Sequence, residues 1–147
     1  MKFFDTKDLR DDEIYLDLKK TKQANPEKNY VPAYDFDICL LDSTIVGNCS
    51  LRVGHNRNIY YAGNIGYGVL EEYRGNKYSL KASKLLFKLA KKHDLEYLYI
   101  TCKPDNLPSD TICRLLGGKL IETTDVPKDL EMYEEGVHRV NIYKYDI

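Results

Sequence analysis

The amphipathic segment that begins at Ser79 constrains the fold more than any other part of this sequence. Apolar residues recur in it at steps of three and four, and lysines occupy most of the remaining positions, which is the pattern of a helix with one buried face. The apolar residues are Ala82, Leu85, Leu86, Leu89 and Ala90. Such a helix must pack on an apolar surface. The strand-like segments on both sides of it predict that this surface is a β-sheet.

Three strands are predicted before this helix. Apolar and polar residues alternate over 34–40, which is the period of a strand with one buried face. A turn at 42–44 leads into a second strand, 45–53, so these two strands are expected to form a hairpin. The next segment, 54–64, is rich in turn formers, and a third strand follows it at 65–70.

The start of the chain is predicted to contain a helix followed by a loop. From Asp11 to Lys22 the acidic residues come first and the lysines last, which is the order that complements a helix dipole. The stretch from Gln23 to Pro32 also contains Pro26 and is expected to be a connecting loop. This loop lies either over a substrate cleft or over the plain surface, and the sequence does not choose between the two.

After the main helix, the order of elements returns to strands. Residues 97–102 have the β-branched and aromatic content of a buried central strand. A second helix is predicted over 107–116, ended by Gly117-Gly118 in a left-handed cap. Further strands are predicted at 119–123 and 137–145, on either side of an acidic loop. The whole order indicates an α/β or α+β fold, in which helices pack on a sheet.

Length and composition limit the class of protein. A chain of 147 residues fits a single domain, 1–147, and its 43% hydrophobic and 31% charged residues are typical of a globular protein. The net charge of -1 gives no field that would draw the protein to nucleic acid or to an anionic membrane. The four cysteines form no CxxC pair, and neither a signal run nor a spanning segment is recognised, so we expect a cytoplasmic protein. His93 and His138 have no neighbouring ligands at metal spacing, so no metal site is expected.

The junction between the third strand and the main helix carries the sharpest chemical signal. It reads Glu-Glu-Tyr-Arg-Gly-Asn-Lys-Tyr-Ser over 71–79. A strand-to-helix junction presents unpaired backbone N–H groups and the positive end of a helix dipole, which together suit a phosphate group. Arg74 and Lys77 add positive charge at the same place. Taken alone, the junction is either a phosphate site or an ordinary solvated loop.

This junction resembles that of the Gcn5-related N-acetyltransferases, the GNAT family. In that family a strand leads into a loop of the form Arg/Gln-x-x-Gly-x-Gly/Ala, whose amides hold the pyrophosphate of CoA, and then into a long helix. The matching segment here is 74–79, Arg-Gly-Asn-Lys-Tyr-Ser, preceded by Val-Leu-Glu-Glu-Tyr over 69–73. The resemblance continues through the strand at 97–102, the following Asn106 and the glycines after the second helix.

The resemblance implies a fold, a cosubstrate and a set of binding residues. The implied fold is a mixed, mostly antiparallel sheet flanked by helices and splayed between its fourth and fifth strands, where the pantetheine arm of acetyl-CoA enters. The implied activity is transfer of an acetyl group from acetyl-CoA to a primary amine by direct attack, without a metal. The residues that the resemblance assigns to cofactor binding are Gly68, Val69, Leu70, Arg74, Gly75, Asn76, Lys77, Tyr78, Ser79 and Asn106.

Two positions depart from the family pattern. Lys77 stands where the family commonly has glycine, so a positive φ there would cost roughly 1–2 kcal/mol, which a contact between Lys77 and phosphate would offset. Cys113 lies seven residues after Asn106, where many members carry the tyrosine that protonates the departing thiolate. Cys113 is either that acid or a small apolar residue on a packed helix face.

The remaining catalytic roles have several candidates. A backbone N–H near Gly68-Val69 is expected to stabilise the oxyanion. His55 is the first candidate for the base, in a loop expected to reach the open end of the cleft, although a surface histidine is often idle. Glu71 and Glu72 are further candidates. Tyr67, with Tyr60 and Tyr61, is expected to contribute to the reacting centre or the acceptor pocket.

The acceptor and the oligomeric state are left open. Acidic residues in the loop from 122 to 135 would attract a cationic acceptor such as a polyamine, an aminoglycoside or a lysine side chain, or would simply be solvated. These residues are Glu122, Asp125, Asp129, Glu131, Glu134 and Glu135. A homodimer is possible by analogy with the family. The alternatives to an enzyme are a CoA-binding or sensing module without catalysis, and a domain that binds another nucleotide or a protein partner.

Overall fold

The computed structural model describes residues 1–147 as seven strands and four helices. The strands are β1 (Ile14–Lys22), β2 (Ala33–Leu40), β3 (Ile45–Arg52), β4 (Ile65–Val69), β5 (Tyr97–Cys102), β6 (Lys119–Asp125) and β7 (Arg139–Asp146). The helices are α1 (Arg57–Ala62), α2 (Tyr78–Lys92), α3 (Leu107–Leu115) and α4 (Glu131–Glu134). None of these helices is both long enough and apolar enough to cross a membrane.

The strands form two antiparallel sheets that separate between β4 and β5. The first has the order β1-β2-β3-β4 and the second the order β5-β7-β6. The hairpin of β2 and β3 places Phe36 opposite Cys49, and the predicted strand from Tyr97 to Cys102 has the predicted ends. The predicted mixed fold and its splay between the fourth and fifth strands are confirmed.

The predicted helix over 11–22 is wrong, because this segment forms β1. Ile14 and Leu16 are buried against the core, whereas Tyr15 and Asp17 are only partly buried, which is the period of a strand. The lysines that suggested a helix end lie on the outer part of an edge strand, where Lys19 pairs with Asp37 of β2 at 3.2 Å. The helix was predicted from the order of the charged residues, because only two apolar residues mark the buried face of the strand.

Two short helices were not predicted. The segment 54–64 contains α1, whose first turn is capped by Asn56, since its side chain accepts a hydrogen bond from the N–H of Ile59 at 2.9 Å. The acidic loop contains the single turn of α4. Both helices are too short to show a helical period in the sequence.

The core lies where α2 packs on the first sheet. The buried face of α2 contacts β1, β3 and β4, and it contains all the residues predicted from the helical period together with Ser83. A smaller cluster, with Val126, Leu130, Val140 and Ile142 at its centre, lies on the second sheet beneath Tyr60, Tyr61 and Met132. The two sheets are thus each covered on one face, and the gap between them runs along β4 and β5.

Candidate active site

Asn64, directly before β4, is hydrogen-bonded to β5 and closes one end of the gap between the two strands. Its backbone N–H donates to the carbonyl oxygen of Tyr99 at 2.7 Å, and its side-chain oxygen accepts from the N–H of Tyr99 at 2.8 Å. Its side-chain amide donates to the carbonyl oxygens of Arg52 and Gly54 at 3.0 and 2.9 Å. The residue is completely buried, so every one of these bonds is shielded from water. Beyond Asn64, β4 and β5 diverge and leave a cleft.

The backbone of β4 presents alternate residues to this cleft. The N–H of Arg52 donates to Asn64 and that of Leu70 donates to Val46, which fixes the hydrogen-bonded pairs of β3 and β4. Since such pairs alternate in an antiparallel ladder, Gly68 bonds to β3 whereas Tyr67 and Val69 direct their backbone groups towards β5. Of the two positions predicted to hold an oxyanion, only Val69 has an N–H that points away from β3.

The two glycines of β4 mark no bulge, because the register between β3 and β4 is regular from Gly47 to Leu51. The close approach lies on the neighbouring strand instead. A Cβ at Gly47 would lie 2.2 Å from the carbonyl oxygen of Gly68, whereas one at Gly66 would meet only the Ser50 hydroxyl at 3.2 Å. Gly47 therefore sets how closely β4 lies against β3.

The loop between β4 and α2 has the form expected of an anion site. None of the backbone N–H groups of residues 75–80 donates to an acceptor within the protein. Gly75 and Lys77 both have positive φ, at 91° and 62°, and Lys77 begins a helix of 15 residues. The positive φ considered for Lys77 is thus present, with its cost for a residue other than glycine. The loop from Arg74 to Lys77 is exposed, so its amides are open to a ligand.

Arg74 is held at the mouth of the cleft. Its Nε donates to the carbonyl oxygen of Val69 at 3.0 Å, which turns the guanidinium back over the end of β4. The remaining guanidinium nitrogens have no protein partner. Asn106, also predicted to bind cofactor, caps α3 by accepting from the N–H of Ser109 at 3.2 Å, and its side-chain amide is left exposed.

Tyr67 crosses the cleft to α3. Its hydroxyl lies 2.8 Å from Oγ of Ser109, and its ring belongs to the margin of the core. Burial raises the pKa of Tyr67 well above its usual range, so the hydroxyl keeps its proton at neutral pH. Cys113 lies beside it, completely buried, with its thiol against that of Cys102. A hydrogen bond from Cys102 lowers the pKa of Cys113, while the same contact raises that of Cys102.

His55 does not reach the open end of the cleft, and that prediction is wrong. Its ring stacks on Tyr97 at a centroid distance of 4.1 Å, and its Nε2 lies 3.0 Å from the carbonyl oxygen of Tyr97. Tyr97 begins β5, on the far side of the clamp formed by Asn64 and Tyr99. Partial desolvation lowers the pKa of His55. This position provides no contact with the diverging part of β4.

Most of the acidic residues from Glu122 to Glu135 already have partners. Asp125 pairs with Arg139 and Asp129 with Arg57, each at 2.7 Å. The hydroxyl of Tyr60 donates to Glu122, and that of Tyr30 donates to both oxygens of Glu131 at 2.8 Å. Glu134 and Glu135 form no ion pair. The loop therefore has little free negative charge to offer a cationic acceptor.

An open cavity of about 380 Å³ lies on the face of the first sheet that α2 does not cover. Its lining includes Asp35, Asp37, Ser50, Gly66 and Tyr67, so it meets β4 beside the cleft. Sequence analysis missed this cavity and the Asn64 clamp. The alternation of β2 gives one sign of the cavity, since it places Asp35 and Asp37 on the same outward face. The sequence does not show that β4, with Gly66, lies close to these aspartates.

The fold is shared with solved acetyltransferases. RimL, the ribosomal L7/L12 alpha-N-protein acetyltransferase, has a TM-score of 0.60 and 24% identity, over 78% of this chain and 70% of its own. The ribosomal-protein-S5-alanine acetyltransferase from Vibrio fischeri has a TM-score of 0.62 and 20% identity, over 78% of this chain and 61% of its own. The microcin C7 self-immunity acetyltransferase MccE, solved with acetyl-CoA and AMP, has a TM-score of 0.61 and 24% identity, over 83% and 63%.

The chain thus spans between 61% and 70% of the length of these relatives, and at such identities the likeness shows the fold. Comparison with curated protein sequences gives no significant match. The model of the acetyltransferase (GNAT) domain family matches residues 1–119, which is most of the chain. The chain therefore belongs to the GNAT acetyltransferase family, which confirms the predicted family and fold class and agrees with the predicted acyltransferase class and acetyl-CoA cosubstrate.

Proposed function

We propose that this chain transfers an acetyl group from acetyl-CoA to a primary amine, with residues 1–147 acting as one domain. One observation carries the proposal: the diverging end of β4 meets a row of six unpartnered amides at the start of α2. A pyrophosphate and an extended arm leading from it need these two features side by side. MccE, which has the same fold, was solved with acetyl-CoA.

The amides of residues 75–80 would hold the pyrophosphate of the donor. They point away from the protein at the positive end of α2, which favours an anion. The free guanidinium nitrogens of Arg74 and the ammonium of Lys77 add charge on the same loop. The backbone groups of Tyr67 and the N–H of Val69, which point away from β3, offer hydrogen bonds to the pantetheine arm, as they would to an additional strand.

Acetyl-CoA supplies an activated acyl group, and the chain's own residues position and polarise it. The N–H of Val69 would donate to the thioester carbonyl oxygen, where negative charge grows as the amine attacks. Hydrogen-bond donors that are fixed beforehand need no rearrangement when that charge develops. The ladder of β3 and β4 fixes this N–H, because the bonds at Gly68 and Leu70 on either side are made to β3.

Tyr67 would protonate the departing thiolate in place of the tyrosine that Cys113 replaces. Its hydroxyl lies between β4 and α3, next to Cys113, and it keeps its proton at neutral pH because burial raises its pKa. Cys113 is completely buried and its backbone oxygen accepts from Tyr145 at 2.8 Å, which favours packing as its role. His55 contacts Tyr97 at the start of β5, away from the cleft, so water is the better candidate to take the proton of the amine.

The acceptor amine would approach through the cavity beside Gly66. Asp35 and Asp37 line this cavity, and their ion pairs with Lys19, Lys20 and Lys22 span 3.2 to 3.8 Å at the surface. Exposed pairs of this kind contribute about 0–1 kcal/mol, so a cationic acceptor can displace them. The same proposal includes a reducing cytoplasm, which suits four free cysteines.

Release of CoA thiol from acetyl-CoA, with mass analysis of a panel of amines, tests the proposal. The panel contains a polyamine, an aminoglycoside, free lysine and peptides with a free N-terminus. Acetylation of at least one amine supports it. Tight binding of CoA with no acetylated product from any amine would instead support the non-catalytic module, and stabilisation by ATP or NAD but not by CoA would favour a different nucleotide.

A further inference from the structure

Arg52 is a half-buried cation that has no carboxylate within ion-pair distance, although the charges of Asp35 and Glu135 lie close enough to act on it. One terminal nitrogen donates to the carbonyl oxygens of Gly63 and Ala62 at 2.9 and 3.4 Å, and the guanidinium forms no ion pair. Its other two nitrogens have no acceptor in the protein, yet they are not enclosed, since the sole fully enclosed orphan in the chain is the Ser83 hydroxyl. A guanidinium has five fixed donors, so this one can still bind an anion with two of them.

Arg52 lines a cavity of about 180 Å³. This cavity lies between the loop before β2, α1 and the turn at α4, and its apolar walls include Val31, Ile59, Leu130 and Met132. Glu131 and Glu135 stand at its rim. Both glutamates are exposed whereas Arg52 is half-buried, so solvent screens the two negative charges more than it screens the guanidinium.

The cavity continues the acceptor side of the first sheet. Ser50 and Arg52 are two apart on β3 and therefore point to the same face, and Ser50 lines the larger cavity beside Gly66. Val69, the proposed donor to the acyl oxygen, lies opposite Gly47 in the ladder. Five positions of β3 separate Gly47 from Arg52, which is about 17 Å along the strand. An extended peptide covers this distance with roughly four to five residues.

We infer that the Arg52 cavity recognises a carboxylate on the acceptor, and that the acceptor is an extended peptide with a free N-terminal amine and that carboxylate at about its third to fifth position. The inference rests on the proposed function, because it names the substrate class of the same site. It selects peptide or protein N-termini over polyamines and aminoglycosides, which have no anion for Arg52.

The test uses pairs of C-terminally amidated pentapeptides that have alanine at every other position. Each pair carries either Glu or Gln at the third, fourth or fifth position, so the members differ by one charge alone. Calorimetry with protein saturated with CoA gives the ratio of the two affinities, and turnover with acetyl-CoA gives the ratio of kcat/KM. The calorimetric ratio is obtained whether or not an acetyl group is transferred, so it separates this inference from the proposed activity.

For at least one position, the wild-type protein is expected to prefer the Glu peptide by about tenfold, as one charge-assisted pair provides. Arg52→Gln should bring that ratio to about one, while Glu135→Gln should keep or increase it. A role of Arg52 in holding only the Gly63 and Ala62 carbonyls would weaken both peptides equally and leave the ratio intact.

Asn58→Trp provides a second variant that fills the cavity without removing Arg52, in case Arg52→Gln does not fold. It should also reduce the ratio to about one. A wild-type ratio near one at all three positions, or a tenfold ratio that survives both Arg52→Gln and Asn58→Trp, would overturn the inference.

Discussion

The hydroxyl of Tyr67 lies 2.8 Å from Oγ of Ser109 and thereby joins β4 to α3 across the cleft, beside the wholly buried Cys113. If Tyr67 is the acid, Tyr67→Phe should lower kcat by about 10²-fold, the usual contribution of a positioned acid, and leave the KM for acetyl-CoA nearly unchanged. The matched variant Cys113→Ala should cost about 1 kcal/mol of stability and change kcat only a few fold. Steady-state kinetics on both variants measures the difference. The reverse order of the two effects would make Cys113 the acid.

Lys77 combines strain with charge, and two substitutions separate them. Lys77→Gly should raise the free energy of unfolding by about 1 kcal/mol, because glycine adopts the φ of 62° without penalty. Lys77→Ala keeps the strain. Both should weaken CoA binding by about twofold to fivefold and reduce its salt dependence, since both remove the ammonium. Urea unfolding and calorimetry check the two quantities. Unchanged CoA affinity in both variants would rule out the phosphate contact.

Gly47 sets the position of β4, so a single methyl group there should disturb the cleft. Gly47→Ala places a Cβ 2.2 Å from the backbone oxygen of Gly68 and should cost about 1–3 kcal/mol, with a loss of CoA affinity. Gly66→Ala is the control, since its Cβ meets only the movable Ser50 hydroxyl at 3.2 Å. Thermal unfolding with and without CoA compares them. Equal effects of the two substitutions would show that β4 can move away freely.

His93 should make the fold sensitive to acid. The Tyr34 hydroxyl accepts from the N–H of Phe4 at 2.9 Å and lies 2.6 Å from Nε2 of His93, an arrangement that suits a neutral ring. Desolvation lowers the pKa of His93 below its ordinary value of 6.5. The unfolded chain therefore binds the proton more readily, and stability should fall as the pH drops below about 6.5 towards the folded pKa. His55 shifts in the same direction and adds to the effect.

Urea unfolding of the wild type and of His93→Gln, at neutral pH and near pH 5, measures this dependence. The variant should lose less stability on acidification than the wild type does. An identical loss in both proteins would assign the pH dependence to other groups.

The elements that sequence analysis predicted correctly are those whose pattern is local. The period of α2 and the residue content of β5 depend on near neighbours in the chain, and both were found with nearly the right ends. In β1 the buried pattern consists of Ile14 and Leu16 alone, so the charge order of the flanking residues dominated the interpretation.

The same distinction between local and distant contacts holds for the candidate site. The junction between β4 and α2 could be predicted, because a strand, a short turn with Arg74 and Lys77, and a helix follow each other in sequence. The contacts that shape the cleft join distant residues, as Asn64 to Tyr99 and Tyr67 to Ser109 do, and no local pattern announces them. The side to which His55 turns depends on its stacking against Tyr97, which is equally remote in sequence.

A crystal structure of the protein with bound CoA would show directly where the donor lies. The pyrophosphate is expected within hydrogen-bond distance of the amides of residues 75–80. The pantetheine arm is expected to pair with Tyr67 and Val69, with the sulfur in the cleft near the Tyr67 hydroxyl. A CoA molecule bound outside the gap between β4 and β5, or with its phosphates away from the start of α2, would contradict the proposed donor site.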